Sequence, residues 1–186
     1  RWSKNNYLKY LTIFSTVGYS IPGAVIGITL IAASGYFVHY FDYIFNLKVG
    51  KYIFSGISLL IFAYLFRFIS VAYNPLEANA LRISPNIAES SYLLGKSKFF
   101  TLFNVEIPLL KNSIISSFLI LFIDIMKELP LTLILKPYNI QTLAIKAFEY
   151  ADDERITEAA LPSVILILII TTIILFLSKY NRLKAY

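Results

Sequence analysis

The chain of 186 residues contains no cysteine, one histidine, one methionine and one tryptophan. Without cysteine, disulfides and thiolate metal sites are excluded, and His39 alone cannot build a histidine cluster; it reads as an interfacial or packing residue. Charge is scarce as well, at 15% of residues, and none stands between Lys9 and Asp42. That gap exceeds the roughly 20 residues a helix needs to cross a bilayer. No G-x4-G-K-[ST] loop occurs, so the chain is not expected to hydrolyse ATP. Nor is there a Ser/His/Asp or paired-histidine arrangement suited to a membrane hydrolase.

What is present is apolar. With 58% apolar residues and a mean hydropathy of +0.67, the chain falls among membrane proteins. Residues 1–9 have a basic beginning, but the apolar run behind them is too long for a signal peptide and lacks a small-residue cleavage site. They read as a cytoplasmic tail before a first span. Four spans are expected, at about 17–40, 50–72, 109–128 and 159–178. In the first, Pro22 with Gly18, Gly23, Gly27 and Gly35 suits close helix contact and a bend, since neighbours can satisfy freed backbone groups in a membrane. Arg67, near the end of the second, is placed to snorkel toward headgroups. Between the last two spans, residues 131–158 suggest a short re-entrant or interfacial helix and a loop.

The net charge of +6 would suggest nucleic acid in a soluble protein. Here the basic residues gather at the ends of apolar runs, where they set topology instead. Placing both termini and the 73–108 loop in the cytoplasm puts there 11 of the 17 Lys and Arg, at positions 1, 4, 9, 67, 82, 96, 98, 111, 179, 182 and 184. The fold class is thus an all-α membrane protein with about four spans. No internal repeat or low-complexity linker is visible.

Residues 84–108, SPNIAESSYLLGKSKFFTLFNVEIP, form a polar and basic island between apolar segments. Ser84 can cap a helix with Pro85 at its first position, Gly95 is placed to end it in the left-handed conformation, and Pro108 opens the next apolar run. At helical spacing Ala88, Tyr92, Gly95 and Phe99 share one face, flanked by Ile87, Ser91 and Leu94; Glu89, Ser90, Leu93 and Lys96 point elsewhere. Patterning alone allows either a helix resting on the membrane surface or one that meets another protein.

The island also carries a spacing: Glu89-Ser90-Ser91, three residues, Gly95, nine residues, then Val105-Glu106-Ile107-Pro108. This resembles the EAA loop of ABC importer permeases, E-A-A-x3-G-x9-I-x-L-P, with serines for the alanines and aliphatic exchanges at the end. The stretches GYSIPGAVIG (18–27), AYLFRFISVA (63–72), FIDIMKELPLTLILKP (122–137) and TLAIKAFEYADDERITEAALP (142–162) look like successive segments of the ferric-iron permease branch. The resemblance implies a MetI-like permease core in the bacterial inner membrane, the C-terminal half of a longer permease or one half of an assembly. It implies ABC ATPase subunits inside, a periplasmic substrate-binding protein outside, and no cofactor on this chain, ATP and Mg being used by the ATPase. The helix at 85–95 would be the coupling helix, with Glu89, Ser90, Ser91, Gly95 and Pro108 as coupling residues. Related permeases for thiamine, sulfate or polyamines share this layout.

Asp124, Lys127, Glu128 and Pro130 stand where the third span is interrupted. Three ionisable residues in one turn do not belong against lipid; they line a translocation path or form a structural ion cluster, Lys127 neutralising a carboxylate pair. Asp152, Asp153 and Glu154 face outward, either to orient a binding protein or as a solvated acidic loop. Carboxylates and tyrosines suit Fe(III), but no metal site is assigned. A second run, Glu158-Ala159-Ala160-Leu161-Pro162, lies on the wrong side for coupling and starts the last span. Two other classes compete: a passive channel or secondary transporter using the Asp124, Lys127 and Glu128 charges, and a non-transporting membrane scaffold.

Overall fold

The computed structural model describes residues 10, 16–45, 50 and 54–182, with side chains described as far as residue 179. The basic tail at 1–9, the start of the expected second span at 51–53 and Lys184 lie outside the described residues. A short helical run at 16–20 precedes α1 (Gly23–Phe45). There follow α2 (Gly56–Ala80), α3 (Pro85–Leu93) and α4 (Lys98–Thr101), a π-helical turn (Leu102–Glu106), α5 (Ile107–Met126), α6 (Pro130–Leu135), α7 (Leu143–Asp152) and α8 (Ile156–Arg182). No strand occurs among the described residues. Among the described residues, four helices are long and apolar enough to cross a membrane: Gly23–Phe45, Gly56–Ala80, Lys98–Met126 and Ile156–Lys179.

These limits depart from the apolar runs because helices continue into water wherever local bonds support them. The second helix passes the expected end at residue 72 and runs to Ala80. Pro75 lies inside it, Tyr73 donates to Glu77 one turn on at 3.1 Å, and the Asn79 amide bonds the Pro75 carbonyl at 2.9 Å. The expected 73–108 loop therefore begins as helix. It also ends as helix, since the backbone is helical from Lys98 onward. Pro108 does not open that helix but sits inside the continuous stretch, just past the π turn. Proline offers no N–H to the carbonyl four residues back and its ring crowds that carbonyl; a π turn relieves this by widening the ladder, and Ile107 N–H bonds Leu102 O five residues back. At the far end α5 stops at Met126, and Pro130 begins a separate short helix.

The first span, expected to bend near Pro22, is interrupted there. Residues 16–20 are helical, Ile21 and Pro22 are not, and α1 restarts at Gly23 with the N–H groups of Val25 and Ile26 on Pro22 O. Glycines set how close neighbours come. A Cβ on Gly18 would lie 2.2 Å from Phe66 O, and one on Gly27 would meet Ile134 at 3.0 Å. At Gly18 backbone thus lies against backbone, and at Gly27 a side chain of α6 lies against backbone, as small residues permit in membrane helices.

The core sits where α1, α2 and α6 meet: Ile26, Leu59, Leu60, Ala63, Leu131 and Leu135, with Ile21, Tyr64, Phe66 and Ile134 against it. The short α6 is wedged between α1 and α2, α2 lies along α5, and α7 folds back on α8. Of the four long helices α2 is the most enclosed and α8 the least. The large aliphatic side chains left outside, such as Leu161, Leu168 and Leu175, are what a bilayer would cover.

Candidate functional site

The α3 segment is built by local chemistry that the sequence carries. The Ser84 side chain accepts the Asn86 N–H at the N-terminus, and Pro85 stands at the first helical position. At the other end Gly95 has φ +75°, Gly95 N–H bonds Tyr92 O at 2.9 Å and Lys96 N–H bonds Ser91 O at 3.2 Å. That is a Schellman cap, which needs a left-handed residue at its turn.

The two serines in the resembling motif differ in environment. Ser90 is exposed and its hydroxyl donates back to Asn86 O at 2.7 Å. Ser91 is buried, its hydroxyl paired at 2.9 Å with that of Thr101, which in turn donates to Ser97 O at 3.1 Å. A hydroxyl in the place of alanine is thus accommodated by a hydroxyl partner on α4. Glu89 is fully on the outer side, exposed together with Tyr92, Leu93, Leu94 and Phe99. Leu93, expected among the polar residues, joins this apolar surface and is 89% exposed. Lys96 covers the Phe100 ring at 4.9 Å.

The ionisable residues after the third long helix separate into two pairs. Lys127 Nζ binds Asp124 Oδ1 at 2.7 Å. Glu128 does not share that lysine. The helix has ended at Met126, so Glu128 leaves the face it would occupy in an uninterrupted helix and turns to Arg67 of α2, whose Nε lies 3.4 Å from Oε2. This contact is charge attraction without aligned hydrogen-bond geometry. Glu128 Oε1 accepts Leu131 N–H at 3.1 Å, capping α6, and Thr132 donates to Glu128 O at 2.9 Å. Tyr64 and Thr132 hydroxyls are bonded at 2.5 Å.

Arg67 is therefore not a snorkelling residue. It is the twelfth residue of α2, its side chain only 15% exposed. Its guanidinium lies near the Tyr19 and Phe68 rings, 5.9 and 5.7 Å from their centroids, and Nη1 donates to Ile21 O. That carbonyl precedes the Pro22 break and is left without a helical N–H partner. A cation inside an apolar run, an orphaned carbonyl at a proline and an acid at a helix end were each visible in the sequence; their meeting was not, because it depends on three segments far apart in the chain.

Asp152, Asp153 and Glu154 are all exposed and form the end of α7. Glu154 has φ +60°, and the Glu154 and Arg155 N–H groups bond Ala151 O and Tyr150 O. This is a second Schellman cap, closed without glycine. Arg155 pairs with Glu158 and covers the Tyr150 ring, and Glu149 gathers Lys136, Lys146 and Gln141. The run at 158–162 lies in the first turns of α8. Among the described residues no group of three or more His, Asp or Glu is placed to hold a metal. The α3 surface and the Arg67 pair are not brought together: Ala80 is thirteen helical steps beyond Arg67 along α2, about 20 Å at 1.5 Å per residue.

The chain matches the family described as binding-protein-dependent transport system inner membrane component over residues 4–183. It is 26% identical to the Fe(3+)-transport system permease protein FbpB 2 of Haemophilus influenzae, covering 98% of this chain and 34% of that protein. It is also 26% identical to the ferric transport system permease protein FbpB of Actinobacillus pleuropneumoniae, over 90% of this chain and 25% of the relative. With the probable transport system permease protein NifC of Clostridium pasteurianum it shares 28% identity over 78% of this chain and 51% of the relative. The chain thus spans about a third or less of the FbpB relatives and half of NifC. No solved structure gives a significant match.

Proposed function

Because the chain belongs to the family of binding-protein-dependent transport system inner membrane components, we propose that it is a membrane-spanning part of an ATP-driven importer for ferric iron. The observation that carries this reading is the family match over nearly the whole chain, with two of the relatives named for ferric transport. In this reading ABC ATPase subunits bind the α3 surface, and a periplasmic binding protein delivers substrate on the other side. Both described ends of the chain then lie on the cytoplasmic side, and another permease half completes the path.

The geometry supports α3 as the coupling element. It is a short helix capped at both ends, it joins the two most extensively packed long helices, and it offers Glu89 with Tyr92, Leu93 and Leu94 on an open face. Ser90 and Gly95 frame that face, Ser91 anchors its back, and Pro108 sets the π turn through which α5 is reached. The Asp124 and Glu128 pairs, with Pro130 at the start of α6, border the path in this reading. Asp152, Asp153 and Glu154 are offered to the binding protein.

Uptake of radioactive ferric iron into vesicles containing the chain with its ATPase and binding protein is the direct test. Glu89→Ala and Gly95→Pro should each cut ATP-dependent uptake by tenfold or more while the chain still inserts; undiminished uptake in both would sink the coupling assignment. Competition by thiamine, sulfate or a polyamine in place of iron would move the substrate within the same class. Uptake that needs no ATPase would instead support a channel.

A further inference from the structure

We propose that Arg67 and Glu128 form an intramembrane tie through which movement of the α3 end of the α2–α5 pair reaches the Pro22 break and α6. The proposal rests on the coupling role given to α3 above. Its basis is that one ion pair joins four separate elements. Arg67 projects from the middle of α2 and its Nη1 donates to Ile21 O, the carbonyl released by the break before α1. Glu128 lies just past the end of α5, attracts Arg67 at 3.4 Å and accepts the Leu131 N–H of α6.

The elements sharing this pair are those leading away from α3. α2 enters α3 through the turn at 81–84, and α5 leaves it through α4 and the π turn. The two helices lie against each other, so a displacement applied at α3 moves Arg67 and Glu128 together. Helical bonding is interrupted at 21–22 and α6 is only six residues long, and the tie is attached to both. Gly23 leaves the space for it: a Cβ there would fall 2.6 Å from Glu128 Oε1 and 3.4 Å from the Arg67 guanidinium carbon.

A merely structural pair makes a different forecast. Replacing a buried ion pair by apolar groups of similar volume is often neutral or stabilising. The double variant Arg67→Met/Glu128→Leu should therefore stay folded and keep its ATPase association, with a melting temperature lowered only by the loss of the hydrogen bond to Ile21 O and of the cap on α6.

The chain has no cysteine, so Ser20→Cys and Leu81→Cys, both at exposed positions, place one spin label beside the break and one at the turn leading into α3, off the face offered to the ATPase. In lipid with the ATPase, the distance between them is read with ADP and with trapped ATP, alongside iron uptake per ATP hydrolysed. The labelled parent should show a nucleotide-driven change in distance. The double variant should lose at least half of that change, and its uptake per ATP should fall tenfold or more. Should the double variant fail to fold, Arg67→Lys serves in its place. A lysine keeps the charge opposite Glu128 but has no second prong for Ile21 O, and uptake per ATP should again fall. A variant that retains both the distance change and the uptake ratio overturns the tie alone. No nucleotide-driven change in the parent overturns the coupling reading and the tie with it.

Discussion

Two glycines in the same apolar segment show how far apart the demands on one residue type can be. Gly18 faces the backbone of α2, where an added Cβ would stand 2.2 Å from Phe66 O, a backbone atom that cannot step aside; Gly35 has nothing within 4 Å. Gly18→Ala is expected to lower stability by about 1–3 kcal/mol, the range for overpacking. Gly35→Ala, in an open helix interior, should be neutral or raise it by up to about 1 kcal/mol through reduced chain entropy. Thermal unfolding in detergent or nanodiscs checks both, and equal effects would contradict the packing described. The spacing of glycines was legible in the sequence, but which of them touch a neighbour was not. Ser91 shows the same limit: its hydroxyl could be read as foreign to a packed face until Thr101 supplied its partner.

Among the elements, the short helices follow local rules that are written in the residues. Ser84, Pro85 and Gly95 mark the ends of α3 through bonds that span six residues at most, so its limits could be read directly. The end of α7 is subtler. Glu154 occupies the left-handed position at φ +60°, where its Cβ is disfavoured by roughly 1–2 kcal/mol relative to the right-handed region. Glu154→Gly should therefore stabilise the α7–α8 turn by about 1 kcal/mol, measured as a rise in melting temperature. If Glu154 also contacts a binding protein, the same variant separates the roles, gaining stability while weakening docking. The long helices were less legible. Apolar runs report where lipid can be, whereas α2 continues through Pro75 to Ala80 on side-chain bonds that hydropathy does not register.

At the scale of the whole molecule, enclosure is concentrated at the junction of α1, α2 and α6, and α8 is nearly all outward-facing. Lipid is as apolar as leucine, so what an enclosed side chain loses on truncation is its packing contacts. Leu131→Ala, at a position with no exposure, should cost about 2 kcal/mol or more. Leu168→Ala, 61% exposed on α8, should be close to silent unless another chain covers that face. Chemical unfolding in lipid distinguishes them; a large effect at Leu168 would mark the α8 face as an interface with protein. The same distribution places the Arg67 and Glu128 pair beside the best-packed part of the chain, while the α3 surface lies at the other end of the α2–α5 pair.

By itself the sequence determined the membrane class, the presence of four long apolar helices, a bend of the first near Pro22 and the capped segment at 85–95. Each of these depends on composition or on bonds between residues close in the chain. Only the tertiary structure decided the fate of the charges. Lys127 and Asp124 were neighbours in sequence and remained partners, but Glu128 left them for Arg67, because α5 ends one residue before Lys127 and the acid then turns across to α2. A guanidinium in an apolar helix must find acceptors, and the ones it found lie 46 residues before it and 61 residues after it. Such a meeting depends on how helices pack, which no local pattern records.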